Sequence, residues 1–109
     1  MKLLYILILL LISTTAAAES SKAERDAANE LQLACLYRNS AKIDDGVTSV
    51  NTIARVVASN CSREEMNYLD VLIRDIYPID KARIAAAISE KNINSAAYFI
   101  LNNRAAKKQ

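Results

Sequence analysis

The chain predicts an all-α fold, a compact bundle of four to five short helices with one intramolecular disulfide. Three observations carry that reading. Residues 19–109 contain 15 Ala, with Leu, Ile, Glu, Lys and Arg filling much of the remainder, and strict apolar/polar alternation is missing. Apolar residues recur at helical spacing between recognisable capping residues. Only two cysteines occur, Cys35 and Cys61, in a chain that begins like an exported protein.

The export reading rests on the first eighteen residues. Met1-Lys2 precedes ten apolar residues, Leu3 to Ile12, and Ser13-Thr14-Thr15 then leads to Ala16-Ala17-Ala18. A charged start, an apolar run of this length and a small-residue site form a secretory signal peptide, cut after Ala18. A membrane span needs about 20 apolar residues, roughly twice this run, so no stable span is expected after cleavage. The very short charged start is of bacterial style, which places the product in the periplasm or outside the cell. Residues 19–109 then form a single helical domain.

Composition excludes several function classes. The 109 residues include one Gly and no His or Trp. Without His there is no Ser-His-Asp or Cys-His arrangement and no His-ligated zinc. One Gly leaves no glycine-rich phosphate cradle. The whole chain has 14 basic and 12 acidic residues. Cleavage removes only Lys2 from that count, so the net charge falls to about +1, and no clustered basic face argues for nucleic acid.

An exported domain with two cysteines is expected to join them, against the alternatives of a redox pair, an intermolecular bridge or two buried thiols. A redox role favours a C-x-x-C pair at a helix start, and the spacing here is far wider. Closing the loop from Cys35 to Cys61 contributes roughly 3.5 kcal/mol in the chain-entropy model. That is a large share of the stability of a domain this small.

The first helix is read over Ser21–Ile43, with Ser20 or Ser21 as cap and Glu24 placed where a capping box with Ser21 needs it. Its apolar positions are Ala27, Ala28, Leu31, Ala34 and Cys35, widened by Leu36 and Tyr37. Gly46 is the left-handed stop that follows it. The second helix runs over Ser49–Asn60 with Thr48 as cap, and Val50, Ile53, Ala54, Val57, Ala58 and Cys61 form its stripe. The short link between the two predicts an antiparallel pair.

The third helix opens on a capping box of Ser62 and Glu65 and buries Met66, Leu69, Leu72, Ile73 and Ile76. Asp70 and Arg74 are spaced to pair along its surface, and Tyr77-Pro78 ends it. A fourth helix is read from Asp80 to Lys91, with Ile84, Ala85, Ala87 and Ile88 inward; the triplet Ala85-Ala86-Ala87 suggests a closely approaching neighbour. A fifth begins near Asn94, with Ala97, Ile100 and Leu101 as its stripe and Ile93 and Tyr98 as a hydrophobic staple. Residues 102–109 are expected to fray as a basic tail.

No catalytic, cofactor-binding or metal-ligating set emerges. Asp44-Asp45 and Glu64-Glu65 are neighbours in sequence, whose side chains diverge rather than converge on one substrate. Asp44-Asp45-Gly46 is a fragment of a calcium loop without its other ligands. Arg104, Lys107 and Lys108 complement a helix C-terminus better than they form a lipid contact. Aromatic and arginine residues anchor protein interfaces, which singles out Tyr37, Arg38, Tyr68 and Tyr77 as partner-contact residues if they share a face.

The layout resembles that of small exported bacterial helical proteins with one bridge, immunity proteins among them. The resemblance is one of organisation and transfers no functional residue. The function expected is therefore that of a periplasmic, non-enzymatic module binding another protein, as an inhibitor, immunity or accessory protein. The alternative is an envelope stress or chaperone-like protein that binds unfolded chains. Partner, face and oligomeric state stay open at this point.

Overall fold

The computed structural model describes residues 21–74 and 78–108. Among them it forms four helices: α1, Lys22–Ile43; α2, Val50–Asn60; α3, Ser62–Leu72; and α4, Pro78–Lys107. The signal peptide read at residues 1–18 lies outside the described residues. Cys35 and Cys61 are joined, with Cα atoms 5.9 Å apart.

The side-chain pairings give the topology. Cys61 meets Cys35, and Arg74 reaches Glu24, so α2 and α3 together run back along α1. Cys61 ends α2 and begins α3 (φ −103°, ψ 20°), and its N–H turns back onto the Ala58 and Ser59 carbonyls. The returning segment is thus two helices broken at the bridge. Asn92 faces Gln32, Phe99 faces Tyr37 and Arg104 faces Asp44. A nearly constant offset of this kind means that α4 runs parallel to α1.

The two ends of the bundle are packed differently. At one end Cys35 and Leu36 of α1, Ile53, Ala54 and Val57 of α2, and Ala96 and Ile100 of α4 enclose the bridge in an apolar core, with Cys61. Burial of this kind stabilises at roughly 25 cal/mol per Å² of apolar surface. The stripe expected on α2 is the one observed. Asn39 donates from Nδ2 to the Cys35 carbonyl at 2.9 Å and lies 3.4 and 3.6 Å from the two sulfurs, covering the bridge.

At the other end polar groups enter the interior. Gln32 and Asn92 are fully buried. Asn92 Nδ2 donates to Gln32 Oε1 at 3.2 Å and Glu65 Oε1 at 3.3 Å, and Gln32 Nε2 donates to Asn29 Oδ1 at 3.0 Å. One network therefore ties α1, α3 and α4.

That network explains the largest departure from the expected elements. Asn92 to Asn94 read as a helix stop followed by a start, yet α4 continues through them as one 30-residue helix. Asn92 is poor in an exposed helix because its amide competes for backbone partners; here Gln32 and Glu65 engage that amide. With no helix start at Asn94, Ile93 and Tyr98 have no staple to form. The expected tail also stays helical to Lys107, and Arg104 holds it to the loop after α1.

Other local expectations change for similar reasons. Ser21 does cap α1, accepting from the Glu24 N–H at 3.1 Å, but the Glu24 carboxylate pairs with Arg74 rather than completing the box. Arg74 consequently serves a distant partner instead of Asp70. Ser49, not Thr48, caps α2, because Thr48 is engaged by Asp45. Ser62 caps nothing: α3 starts at once from Cys61, and Glu65 turns to Asn92. Gly46 does adopt the left-handed conformation, φ 76°, two residues beyond the C-cap Asp44.

The buried face of α1 is also rotated from the expected one: it is Ala28, Gln32, Cys35, Leu36 and Ser40, while Ala27, Leu31 and Tyr37 are exposed. On α3 Val71 is buried and Met66 exposed, the reverse of the expected stripe, while Leu69, Leu72 and Ile73 are half-buried and Ile76 lies outside the described residues. On α4 Ile88 and Ile100 are buried as expected, whereas Ala86, Ala87 and Leu101 are exposed, so the alanine triplet does not mark a close helix contact.

Opening the bridge should lower the stability of the folded chain by about 3.5 kcal/mol, read as a lower urea midpoint for the Cys35→Ser/Cys61→Ser chain; an unchanged midpoint would remove the bridge from the account. Asn92→Ala strands the buried Gln32 amide and should cost about 1–3 kcal/mol, whereas the Gln32→Leu/Asn92→Leu pair should lose less. Equal losses in the single and double variants would count against the network.

Candidate functional site

Of the residues singled out from the sequence, Tyr37, Arg38 and Tyr68 do not share one face. Tyr37 is 55% exposed on α1 and meets Phe99 edge-to-face, ring centroids 5.5 Å apart. Phe99 in turn meets Tyr98 at 6.0 Å, and Tyr98 is 62% exposed. These three rings form a continuous seam across α1 and α4, rooted in the core by Phe99, which packs against it. Edge-to-face pairs of this kind contribute about 0.5–1.5 kcal/mol each beyond their buried area.

Arg38 turns to the other flank of α1. There Leu31, Arg38, Arg63, Glu64 and Asn67 line a shallow groove of about 300 Å³ between α1 and α3. Tyr68 is half-buried on α3, with the Lys91 ammonium 5.6 Å from its ring centre. Tyr77 lies outside the described residues. The structure thus adds Tyr98 and Phe99 to Tyr37 and separates Arg38 and Tyr68 from it. The sequence signal for Tyr98 is its place off the buried stripe of α4, which a helix start at Asn94 obscures.

Exposed apolar side chains continue beyond the seam. Leu31 on α1, Leu101 on α4 and Met66 on α3 are each more than half exposed. A groove of about 570 Å³ runs along α4 beside Tyr98, lined by Ala87, Glu90, Lys91, Asn94, Ser95 and Phe99. Large side chains of both aromatic and aliphatic type thus stand outward on helices whose inner faces are fixed by the bridge.

The electrostatics concentrate at one end, where the loop after α1 meets α4. Arg104 binds Asp44 through two nitrogens, at 2.6 and 3.1 Å, and donates to the Thr48 carbonyl at 2.6 Å. The Asp44 side chain is only 2% exposed. The Arg104 hydrogen bond holds its carboxyl below the ordinary range, against the opposing effect of burial, with the Gly46 N–H helping. Asp45 is lowered to about 2, first by the Thr48 hydroxyl and then by the Val47 and Thr48 N–H groups. The pairing raises Arg104. This clamp fixes the loop and the end of α4: Asp44 engages the Arg104 guanidinium and the Gly46 N–H, and Asp45 the Thr48 hydroxyl and the Val47 and Thr48 N–H groups.

Among the described residues no group of three or more His, Cys, Asp or Glu is placed to hold a metal ion, and no helix is long and apolar enough to cross a membrane. A buried disulfide is consistent with an oxidising compartment outside the cytoplasm. In comparisons with family models, curated proteins and solved structures, nothing matches this chain.

Both clamp carboxylates are depressed, so the stability they add is complete above their unfolded pKa, near 4, and is lost as pH falls through their folded values, about 2 for Asp45. Arg104 acts chiefly on Asp44, since Asp45 is held by Thr48, so the difference in melting temperature between the native chain and Arg104→Met should be largest above about pH 4 and shrink as pH falls through the lowered Asp44 value. A difference independent of pH would contradict the clamp.

Proposed function

We propose that the protein is a small exported, non-enzymatic module that binds another protein. The observation that carries this reading is the aromatic seam of Tyr37, Phe99 and Tyr98, with two of its three rings more than half exposed on the two longest helices. Aromatic side chains present large contact area at low entropic cost, and they dominate binding energy where a partner excludes water from them. The bridge and the buried network hold the seam in place before binding, which reduces the ordering cost further.

The N-terminal segment, Met1 to Ala18, supports delivery to the periplasm or the exterior. There the module acts by covering a surface of its partner, as an inhibitor, immunity or accessory protein would. The separate groove holding Arg38 offers a polar rim on the opposite flank of α1.

The test is retention of a stoichiometric partner from the envelope fraction of the native host by immobilised protein with its bridge closed. Tyr37→Ala/Tyr98→Ala should lose that partner at least ~10-fold, because two exposed anchors are removed, with the circular dichroism spectrum unchanged. Equal retention by both forms, or none by the native chain, would overturn the assignment. Preferential capture of unfolded model chains by both forms would instead favour a chaperone-like role.

A further inference from the structure

The outward face of α1 lies between the groove that Leu31 and Arg38 share with α3 and the contact of Tyr37 with Phe99 of α4, and its order of residues is self-complementary. Ala27, Ala34 and Ala41 recur every seven positions, and Ala27 and Ala41 are exposed while Ala34 is half-buried. Beside them stand Glu30, Leu31, Tyr37 and Arg38, all exposed. Neither Glu30 nor Arg38 has an ion-pair partner among the described residues.

We infer that a second copy of this chain docks here, α1 against α1, antiparallel about a two-fold axis at Ala34. Glu30 and Arg38 each lie four residues from Ala34, on opposite sides of it. A helix rises 1.5 Å per residue, so each is about 6 Å from the axis along α1. An antiparallel copy therefore brings Glu30 of each chain level with Arg38 of the other, twice, within reach of an arginine side chain. Leu31 and Tyr37 each lie three residues from Ala34, so Leu31 comes level with the opposite Tyr37. Parallel packing would instead set Glu30 on Glu30 and Arg38 on Arg38, which like-charge repulsion disfavours.

The alanines admit this approach. With methyl side chains at the contact, two helix axes can come to about 8 Å, and a seven-residue repeat keeps such a seam facing its partner along the helix. The seam from Ala27 to Ala41 is about 21 Å long, so the interface falls at the small end of specific contacts and the dimer is weak and concentration-dependent. The two-fold axis lies across α1, so it leaves both copies' α4 helices on the same side. The dimer thereby presents the Tyr98 and Phe99 rings of both copies on one side, a bivalent surface that gains avidity against a partner carrying paired sites.

The experiment is sedimentation velocity of the protein recovered from the periplasm of an expression host, at low salt and rising concentration. The native chain should shift from monomer toward twice that mass. Glu30→Arg and Arg38→Glu should each weaken self-association about tenfold or more, since each sets two like charges at both contacts. An equimolar mixture of the two variants should restore it, because every contact then pairs opposite charges. Circular dichroism of each variant checks that these exposed changes leave the fold intact. A native chain that stays monomeric, or a dimer indifferent to both charge reversals and their mixture, would overturn the inference. Retention of a foreign partner is read separately with Tyr98→Ala alone, since Tyr37 borders the proposed dimer contact, so either result stands without the other.

Discussion

The bond between Cys35 and Cys61 is the constraint on which the rest of the structure depends. It lies where α2 and α3 meet, so one covalent link fixes both the pairing of α1 with the returning segment and the position of the break. Around it the apolar residues of α1, α2 and α4 close a core that excludes water. In a chain of this size the available apolar burial is modest, and a restricted unfolded state supplements it. Asn39 covers both sulfurs and leaves the bridge a structural role rather than an exchanging one.

From that anchor the polar contacts take over the task of setting register. The Gln32–Asn92–Glu65 network and the Asp44–Arg104 clamp sit at different levels of the same α1–α4 contact, with nearly the same sequence offset. Apolar packing between two helices tolerates slippage by a turn, whereas these hydrogen bonds do not, since a slip would leave the buried amides and a nearly enclosed carboxylate unpaired. Burial thus supplies stability, and the polar pairs select one alignment. The outcome is a stiff pair of long helices whose outer faces hold Tyr37, Tyr98 and Leu101 in fixed positions.

Much of this was legible in the residues, and the parts that were not share one cause. Val50, Ile53, Ala54, Val57 and Cys61 repeat with the helical period and are flanked by good caps, so α2 could be placed from its own sequence. Cys35 and Cys61 were recognisable as a bridge from their number and the signal-peptide pattern read in the residues before them. In contrast, Asn92 looked like a helix boundary because its compensating partners, Gln32 and Glu65, are remote in sequence. Arg104 looked like part of a frayed tail for the same reason, its partner Asp44 lying 60 residues away. On α1, alanine and leucine are spread around the whole helix, which blurred the inward face. That distribution also leaves apolar residues outside, and the contact surface follows from it. Tyr37 could be nominated alone, but its neighbours Phe99 and Tyr98 required the parallel alignment of α1 and α4 to be known.

Hydrogen exchange of the folded, bridged chain tests this account most directly. The slowest amides should fall together around the bridge: in α1 near Cys35, in α2 from Ile53 to Val57, and in α4 near Ala96 and Ile100, with a common opening free energy. If instead α2 exchanges far faster than the middle of α1, the bridge does not organise a shared core, and the scaffold described here is wrong.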